Sequence, residues 1–484
     1  WYFLKEVIEG RERLTQKDVD RFLVCTTCER CDVACQLDLP IEPSWGKLRG
    51  KLINEDKKMT FPAFEMMAAS ARKERNIWAS YSKDRDAWVP EEVKPHIKEK
   101  ADIAYFAGCT ASFVELDIAK ATATLLAKAG VDFAYLGKEE ACCGIPMLVA
   151  GRWDVWEEIL RHNVAKMKET GAETVVTSCP ACWLVWRTYY PEWAEKLGID
   201  YPFETKHYSE VLADRIADGS LKIESEVPIK VTFHDSCHIG RAGGVYDPPR
   251  ELLRAIPGVE LVEMEHNRED ALCCGSVLTL IGETPVAPVL GGRRLQEAVD
   301  AGAEAVAALC PCCQFQLRVS AEKNGIHMPV KDLAALAAKG LGIDIPDSTP
   351  DALAIWPVFE RMIELMKPDA MIALMEKLMP QLVAAMPGPF PSMMRFMAKI
   401  PGALEAMKPI MPKMMPLMLP GMMPKVMPDM LKEVERIVGP LPDYMREQMP
   451  DLLPATMEAL MPNMLPMIAP GVTEKMVAYL KGNS

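Results

Sequence analysis

Short apolar runs alternate with amphipathic helical patterns in residues 101–220, and the same alternation returns in residues 221–347. Because buried parallel strands read as continuous apolar runs, the alternation predicts a parallel α/β layer in each stretch. In the first stretch we predict strands at 102–108, 132–136 and 173–178, and helices at 113–130, near 152–169 and from Pro180. In the second we predict strands at 228–234, 259–264 and 304–309, and helices near 248–255, at about 292–301 and from Pro311.

The C-terminal region, residues 348–484, follows a different pattern and holds 25 of the 32 methionines. Residues 369–386 place apolar side chains on one helical face, namely Met371, Leu374, Met375, Leu378, Leu382 and Met386. Prolines then recur four residues apart, at positions 412, 416, 420, 424 and 428. Because proline lacks an amide proton and clashes with the preceding turn, we predict that this stretch is neither one continuous helix nor an ordinary membrane span.

Three interpretations of this Met/Pro-rich amphipathic helical tail stay open. Its adaptable apolar surface suits docking of a hydrophobic partner subunit, contact with the membrane interface, or packing as an extra helical layer on the body. Few lysines and no strongly cationic face weaken the membrane-surface interpretation. A copper site is disfavoured, because the apolar periodicity accounts for the methionines without a metal.

The whole pattern predicts an α/β protein in which two duplicated, Rossmann-like modules lie between two helical regions. Within the N-terminal region, residues 44–55 and 62–80 read as helices. The predicted parts are a ferredoxin-like cluster region at 1–100, a first module at 101–220, a second module at 221–347 and the tail at 348–484.

The cysteines repeat together with the apolar pattern. The first module contains Cys109, Cys142, Cys143, Cys179 and Cys182, and the second contains Cys237, Cys273, Cys274, Cys310 and Cys313. A glycine follows each adjacent pair, Gly144 in the first module and Gly275 in the second. Matching cysteines lie about 130 residues apart, which indicates an internal duplication.

This spacing has a chemical meaning. Five thiolates from a strand end, a Cys-Cys-Gly turn and a helix start can converge on one site at the carboxyl ends of the strands. Adjacent cysteines cannot both point at a compact tetrahedral ion without strain, so a zinc site is disfavoured, and a structural disulfide cage more so. Iron–sulfur ligation fits soft thiolates better, and glycine lets the backbone fold tightly against a cluster. Pseudo-twofold symmetry between the modules predicts that the two sites face a shared cleft.

The N-terminal region carries the sequence VCTTCERCDVACQ. Its Cys25, Cys28, Cys31 and Cys35 have the C-x2-C-x2-C-x3-C spacing of a bacterial ferredoxin cluster, so we predict a cubane 4Fe-4S cluster here. Gln36 stands where this motif usually has proline. The sequence shows no second motif that would supply the fourth ligand of this cluster and receive Cys35 in return. We favour a partner motif upstream of Trp1, over one in another chain or a single cubane that uses all four cysteines.

Charge and composition exclude some classes of partner. The net charge is −13 and no basic cluster is interleaved with aromatic residues, so nucleic acid is not an expected ligand. All 15 cysteines fall inside cluster-type motifs, and no signal peptide follows Trp1, which favours the cytoplasm or the cytoplasmic face of the membrane. No strand–GxGxxG–helix unit is present, so we predict no flavin or nicotinamide site in this chain. The electron donor is therefore expected in another subunit.

The stretches HDSCHIGR, VYDPPRELLRAIPGVELVEME, LCCG and CPCC resemble the Cys-Cys-Gly domains of heterodisulfide reductases, and the resemblance covers roughly residues 1–345. It implies that each complete set of five cysteines holds a noncubane 4Fe-4S cluster, and that electrons from the cubane let the two clusters cleave or form a substrate disulfide inserted between them. It also implies a multi-subunit complex, with a flavoprotein or a membrane cytochrome or quinone-linked subunit as partner. Residues Ser276 to Leu280 read SVLTL where the family often has glycines, so the substrate pocket is not expected to be identical.

Several polar residues invite a catalytic interpretation. His234 and His238 flank Cys237 and are candidate general acids for protonating thiolates, although hydrogen bonding to cluster sulfurs or backbone is the more common role. Cys312 is expected to be a small buried side chain rather than a sixth ligand. Candidate charges for a substrate carboxylate or phosphate are Lys138, Arg241 and Arg250, although such residues are more often ordinary surface charges.

Two other functional classes stay open. In the first, the clusters only relay electrons in a larger dehydrogenase or quinone-linked complex, whose chemistry belongs to a flavoprotein such as an electron-transfer flavoprotein. In the second, the cysteines bind zinc and the protein is a scaffold. The completeness of both five-cysteine sets favours the disulfide enzyme.

Overall fold

The computed structural model describes residues 2–276 and 285–482, with the side chains of Lys17, Pro416, Leu419 and Pro420 left undescribed. The chain forms two compact units. The tail unit comprises Trp1–Arg21, Lys57–Ala69 and Pro357–Ser484. The cysteine unit comprises Phe22–Asp56 and Ser70–Trp356, and therefore contains every cysteine motif.

The N-terminal region is helical. Its helices are α1 (Tyr2–Ile8), α2 (Gln16–Leu23), α3 (Arg30–Val33), α4 (Ile41–Gly50) and α5 (Pro62–Glu74). A π-turn at Lys51–Glu55 extends α4, in agreement with the helix predicted at 44–55. The helix predicted at 62–80 ends early, because the chain turns at Arg75, where φ is +56°.

The first module is a five-stranded parallel sheet of order β1-β3-β2-β4-β5. Its strands are β1 (Ile97–Lys98), β2 (Ile103–Phe106), β3 (Phe133–Tyr135), β4 (Thr174–Thr177) and β5 (Glu204–His207). Its helices are α6 (Cys109–Phe113), α7 (Leu116–Lys128), α8 (Ile145–Val149), α9 (Trp153–Glu169), α10 (Pro180–Leu184), α11 (Tyr190–Leu197) and α12 (Tyr208–Ala217). The single helix predicted at 113–130 is in fact α6 followed by α7, since the chain breaks at Glu115, whose carboxylate is buried against Arg318.

The second module repeats the same topology in a four-stranded parallel sheet of order β7-β6-β8-β9. Its strands are β6 (Ile229–Phe233), β7 (Val259–Val262), β8 (Ala305–Ala308) and β9 (Val330–Asp332). Its helices are α13 (Asp247–Arg254), α14 (Val286–Asp300), α15 (Pro311–Asn324) and α16 (Leu333–Gly340). The predicted α/β class with two parallel sheets is confirmed. The apolar pattern did not reveal three strands, namely β1 and β5 of the first module and β9 of the second.

One apolar core joins the two modules. It includes Tyr105 and Val176 of the first sheet and Phe233 and Ala307 of the second, all fully or almost fully buried. A buried polar network crosses the same boundary. Arg318 of α15 pairs with Glu115 and with Asp117, the latter at 2.9 Å, and Gln314 donates to both carboxylates at 3.0 Å. The modules are therefore fixed against each other by packing and by paired charges.

The tail consists of helices alone among the described residues. They are α17 (Thr349–Leu365), α18 (Pro368–Lys377), α19 (Met379–Ala385), α20 (Phe390–Ala398), α21 (Ala403–Met407), α22 (Met411–Val438) and α23 (Asp443–Gly482). The six residues predicted to form one apolar face between 369 and 386 are all buried, which confirms that face. No helix in the described part of the chain is long and apolar enough to cross a bilayer.

The prediction that residues 412–428 do not form one continuous helix was wrong, because α22 runs without a break from Met411 to Val438. Prolines four residues apart lie on nearly the same face of a helix, so the hydrogen bonds they remove are lost on one side only. The opposite face of α22 buries Met422, Val426 and Met430, and α22 packs against α23. Tertiary packing thus outweighs the low helix propensity of proline.

Candidate metal centres

The first set of cysteines lies where the strands of the first sheet end. Cys109 begins α6 after β2, Cys142 and Cys143 form the turn between β3 and α8, and Cys179 precedes α10, which contains Cys182. The sulfur atoms of Cys109 and Cys142 are 3.5 Å apart. Cys143 and Cys182 are hydrogen-bonding neighbours, as are Cys182 and Cys179. Five thiols from separate loops therefore form one cluster of sulfur atoms, which we call site 1.

The second set is built in the same way at the end of the second sheet. Cys237 follows β6, Cys273 and Cys274 form the turn after β7, and Cys310 precedes α15, which contains Cys313. The sulfur atoms of Cys274 and Cys313 are 3.3 Å apart. Cys273 is a hydrogen-bonding neighbour of Cys237, and Cys310 is one of Cys313. We call this group site 2.

Glycine is required in both Cys-Cys-Gly turns. Gly144 and Gly275 each adopt φ of +88°, a conformation that residues with a Cβ rarely take. A Cβ on Gly144 would lie 2.9 Å from the ring of Trp156, and one on Gly275 would lie 2.8 Å from the carbonyl oxygen of Ala287. The turn also points the amide proton of each glycine at the sulfur of the cysteine two residues before it, with N–S distances of 3.4 and 3.3 Å. Such bonds stabilise a thiolate.

The thiols of each site influence one another. Hydrogen bonds from Cys273 and Cys313 lower the pKa of Cys274 to about 5, and hydrogen bonds from neighbouring thiols also lower the pKa of Cys182. The hydrogen-bonded thiol of Cys142, together with burial, raises the pKa of Cys109. Each site thus favours a thiolate, but ionisation of all five thiols of a site needs positive charge from a bound metal.

Buried carboxylates hold the loops that carry the first cysteine of each site. In the first module Glu140 accepts the amide protons of Ala107 and Gly108, both at 3.0 Å, and pairs with Arg85 at 2.9 Å. Burial raises the pKa of Glu140 to about 7, against the opposing effect of Arg85. In the second module Asp235 lies in the loop itself and forms a two-bond ion pair with Arg250 at 2.7 and 2.8 Å.

The N-terminal motif contacts site 2. Cys28 is a hydrogen-bonding neighbour of Cys273, and Arg241 donates to the carbonyl oxygens of Cys28 and Ala271. Arg30 donates to the carbonyl oxygen of Asp270. Burial and the neighbouring carboxylate of Asp32 raise the pKa of Cys31, and the nearby thiols of Cys25 and Cys28 raise it further. Cys35 follows α3 and is half-buried. Sequence spacing alone gave no reason to pair this motif with one module rather than the other.

Sites 1 and 2 are adjacent. Cys179 of site 1 is a hydrogen-bonding neighbour of Cys310 of site 2 and of Cys312. The hydroxyl oxygen of Thr110, which follows Cys109, is 3.8 Å from the sulfur of Cys312. The expectation that Cys312 is buried is only partly met, because this side chain is half-buried at the junction of the two sites.

The two candidate general acids have different surroundings. A ring nitrogen of His234 lies within 4.8 Å of the sulfurs of Cys274 and Cys313. Its Nδ1 accepts a hydrogen bond from Nε of Arg294 at 3.2 Å, and burial lowers its pKa to about 3. His238 instead lies beside the N-terminal motif, with Nε2 3.2 Å from the carbonyl oxygen of Thr27, and desolvation lowers its pKa.

Sequence reasoning missed His207. This fully buried residue ends β5 beside β4, caps α12, and is close enough to Cys310 to interact with it electrostatically. Burial lowers its pKa to about 3, so the ring is neutral. The strand reads ETKH, in which charged and polar residues hide the usual strand signal.

The three candidate substrate-binding cations also have different surroundings. Lys138 is exposed on the surface. Arg241 is engaged by backbone carbonyls at the contact between the N-terminal motif and site 2. Arg250 is fully buried between Asp235 and Glu263, so it positions a loop and is unable to reach a substrate. The SVLTL stretch, Ser276 to Leu280, is where the sequence departs from the family. Only Ser276 of this stretch is among the described residues.

The donor sets fit iron–sulfur clusters. Each site gathers five sulfur atoms, more than the four positions of tetrahedral zinc. All 15 cysteines are described, and none forms a disulfide. Crowded, mostly buried thiols that receive amide hydrogen bonds suit soft iron–sulfur ligation.

Comparison with known proteins agrees with this assignment. The family described as cysteine-rich domain matches residues 103–186 and again residues 231–318. One subunit of the dihydromethanophenazine:CoB–CoM heterodisulfide reductase of Methanosarcina mazei is 35% identical over 351 residues, which cover 71% of this chain and 84% of that protein.

Two further relatives are oxidoreductases with other names. The probable iron–sulfur-binding oxidoreductase FadF of Bacillus subtilis is 30% identical over 66% of this chain and 47% of that protein. The EtfAB:quinone oxidoreductase of Syntrophomonas wolfei is 31% identical over 52% of this chain and 35% of that protein. Two matched domains with all their cysteines, and a relative aligned over most of both chains, show that this protein belongs to the family of Cys-Cys-Gly-domain iron–sulfur oxidoreductases that includes the heterodisulfide reductase of Methanosarcina mazei.

Proposed function

We propose that the protein is a subunit that reduces or forms a substrate disulfide at two noncubane 4Fe-4S clusters, held by sites 1 and 2, with electrons arriving through a cubane 4Fe-4S cluster at Cys25, Cys28 and Cys31. The observation that carries this proposal is that both five-thiol sets are complete and adjacent, meeting where Cys179 neighbours Cys310 and Cys312. Iron–sulfur clusters, when bound, supply electrons one at a time, and cleaving a disulfide to two thiols consumes two electrons and two protons.

The contacts support an order for the sites. Cys28 neighbours Cys273 of site 2, and Cys310 of site 2 neighbours Cys179 of site 1. The cysteines thus form a continuous series from the N-terminal motif through site 2 to site 1. In this proposal site 2 lies nearer to the N-terminal motif, where electrons arrive. Arg241 holds that motif by donating to the backbone carbonyl oxygen of Cys28.

A small pocket of about 10 Å³ lies where the two sites meet, and we assign the substrate sulfurs to this junction. It is lined by Trp78 and Phe315, whose rings exclude water, and by Thr110, Cys312 and Gln316. Thr110 follows a site 1 ligand, whereas Cys312 lies between two site 2 ligands. Thr110 carries a hydroxyl group that can donate a hydrogen bond to a developing thiolate. His234 and His238 have lowered pKa values, so we assign them to holding neutral hydrogen bonds rather than to storing protons.

The test is anaerobic electron paramagnetic resonance of the full chain during titration with oxidant, with and without candidate thiols, beside quantitation of iron and sulfide. We expect a paramagnetic signal that depends on the thiol and is abolished by Cys273→Ser or Cys142→Ser. Cluster signals that ignore every thiol would contradict the proposal.

A second candidate function is electron relay between a flavoprotein and a quinone-linked partner. The observation in its favour is the similarity to the EtfAB:quinone oxidoreductase, whose name states that activity for that protein. The same titration separates the two, since a relay is expected to show thiol-independent signals and to be reoxidised by a soluble quinone analogue. Either function places a flavoprotein, or a membrane cytochrome or quinone-linked subunit, among its partners.

A further inference from the structure

Positive charge in the tail is concentrated in one segment. Residues 387–428 contain five basic residues and one acidic residue, a net charge of +4. The flanking stretches are acidic, with net charges of −2 for residues 351–386 and −3 for residues 429–484, and the whole chain carries −13. The segment is therefore a cationic island in an acidic protein, which the overall lysine content concealed.

Most of these cations are unpaired. Lys408 pairs with Glu405 at 2.7 Å, and Lys481 of α23 occupies the same carboxylate at 2.6 Å. Arg395, Lys399, Lys413 and Lys425 are all exposed, and none has an ion pair within the described ranges 2–276 and 285–482. Four charges are thus free to meet an anionic partner.

The same segment exposes large apolar side chains. On α20, Phe390 lines a cavity and Met394 is fully buried, whereas Met393 and Phe396 face outward, with 65% of Phe396 exposed. Ile400, one turn beyond Phe396, is also exposed. Arg395 and Lys399 lie beside this apolar strip, so the outer face of α20 alternates apolar and cationic groups. Farther along, Ile410 and Leu417 extend the pattern, and 84% of Leu417 is exposed.

The helices behind this face leave a cavity between them. It has a volume of about 60 Å³ and is lined entirely by apolar side chains of the tail, including Phe390 of α20 and Met411, Met414, Met418 and Met422 of α22. Methionine adapts to irregular spaces because its side chain is unbranched and flexible. The outer helices can therefore adjust when their exposed face meets another surface.

Exposed apolar side chains flanked by unpaired cations are the signature of a surface that lies in the interface of an anionic membrane. We propose that residues 387–428 bind the surface of an anionic phospholipid bilayer, with Phe396 and Leu417 entering the interface and Arg395, Lys399, Lys413 and Lys425 facing the headgroups. The charge favours an anionic lipid surface over symmetric pairing with a second copy of this chain, because the same segment of that copy would also carry a net charge of +4. This surface does not depend on the proposed redox function.

The test is cosedimentation of the full-length, cluster-loaded protein with vesicles. We expect binding to phosphatidylcholine vesicles that contain phosphatidylglycerol, weak binding to pure phosphatidylcholine vesicles, and a loss of binding as salt rises. Each lysine near an anionic surface contributes about 1 kcal/mol, which is about fivefold in affinity. The double variant Lys399→Gln/Lys413→Gln should therefore bind roughly 25-fold more weakly, and Phe396→Ser/Leu417→Ser should also lose affinity.

The matched control is Lys222→Gln/Lys339→Gln, which makes the same charge change at exposed positions of the cysteine unit. It should bind like the unaltered protein. Iron content and circular dichroism should be the same for all variants, since every altered side chain is exposed. The proposal is overturned if anionic vesicles do not bind the protein, if the control loses as much affinity as the lysine variant, or if the apolar variant only abolishes self-association measured without lipid.

Discussion

The two modules build the same sulfur site from different supporting residues. In the first module the carboxylate that orders the first cysteine loop is Glu140, just before the Cys-Cys-Gly turn, and the position matching it in the second module is Ala271. In the second module the carboxylate is Asp235, and the position matching it in the first is Ala107. The acid has moved from one loop to the other while the cysteines have kept their places. The two modules thus keep the same cysteine positions, whereas the buried acid and its arginine partner are supplied from different places in each.

The two sites also differ in their neighbouring residues and in how far their cysteines are exposed. Site 2 contacts the N-terminal motif through Cys28 and has His234 beside its thiols, where the first module has Phe106. Site 1 is enclosed, with all five cysteines buried, whereas Cys237 and Cys273 of site 2 are half-buried. The duplication therefore produced one partly exposed site beside the N-terminal motif and one enclosed site.

Removing one ligand from each site gives the largest expected effect. Cys109→Ser and Cys237→Ser should each lower the iron content by about four atoms and abolish one noncubane signal. The remaining site should stay loaded, because each set of ligands is complete within its own module. Quantitation of iron with paramagnetic resonance checks this, and loss of both clusters from either variant would show that the sites assemble together.

The buried network between the modules is the next target. Arg318→Met should lower the free energy of unfolding by about 3–5 kcal/mol, because it leaves Glu115 and Asp117 buried without their cation. Denaturant unfolding followed by tryptophan fluorescence measures the change. The control is Arg72→Met, which breaks exposed pairs with Asp154 and Glu158 and should cost less than about 1 kcal/mol. Equal losses would mean that the network does not join the modules.

The two Cys-Cys-Gly turns share one backbone conformation, and replacing their glycines tests how strongly each module depends on it. Gly144→Ala and Gly275→Ala should each destabilise the protein by at least about 1–2 kcal/mol from the positive φ alone, and by more from the clashes with Trp156 and Ala287. Gly130→Ala is the control, because φ there is +69° but nothing lies within 4 Å of the added Cβ. Thermal unfolding should show the smallest destabilisation for Gly130→Ala. Equal destabilisation of all three variants would show that clashes of the added Cβ contribute nothing beyond the positive φ.

Exchanging the residues that differ beside the sulfurs gives the smallest effect. His234→Phe should lower the reduction potential of site 2 by an amount on the order of 60 mV, or about 1.4 kcal/mol for one electron, because it removes a polar ring nitrogen within 4.8 Å of the sulfurs of Cys274 and Cys313. Phe106→His should leave the potential of site 2 unchanged. A redox titration followed by paramagnetic resonance measures both, and an unchanged potential in His234→Phe would show that the histidine does not reach the sulfurs.

The periodic features of the sequence predicted the cysteine modules well. Apolar runs located six strands, and the repeated cysteines located both sites, because duplication and burial leave regular marks on a sequence. The strands β1, β5 and β9 were missed since they are short and half polar, as in IK and ETKH. The contact of Cys28 with site 2 could not be read from spacing, because it depends on packing between segments more than 200 residues apart. The tail was misjudged at α22 for the opposite reason, since local proline chemistry was given more weight than packing.

The tail unit has a consequence for the order of events during synthesis. It unites segments that are far apart in the sequence, Trp1–Arg21, Lys57–Ala69 and Pro357–Ser484. The first two segments must therefore wait until the third is synthesised before their partners exist, whereas Ser70–Trp356 can fold as soon as it emerges. Because α22 lacks an amide hydrogen at every fourth position from 412 to 428, it gains too few bonds to form alone and depends on that late assembly. Cluster insertion into the modules thus has a period in which the early segments of the tail unit still lack their partners, and closure of the tail unit is a late step.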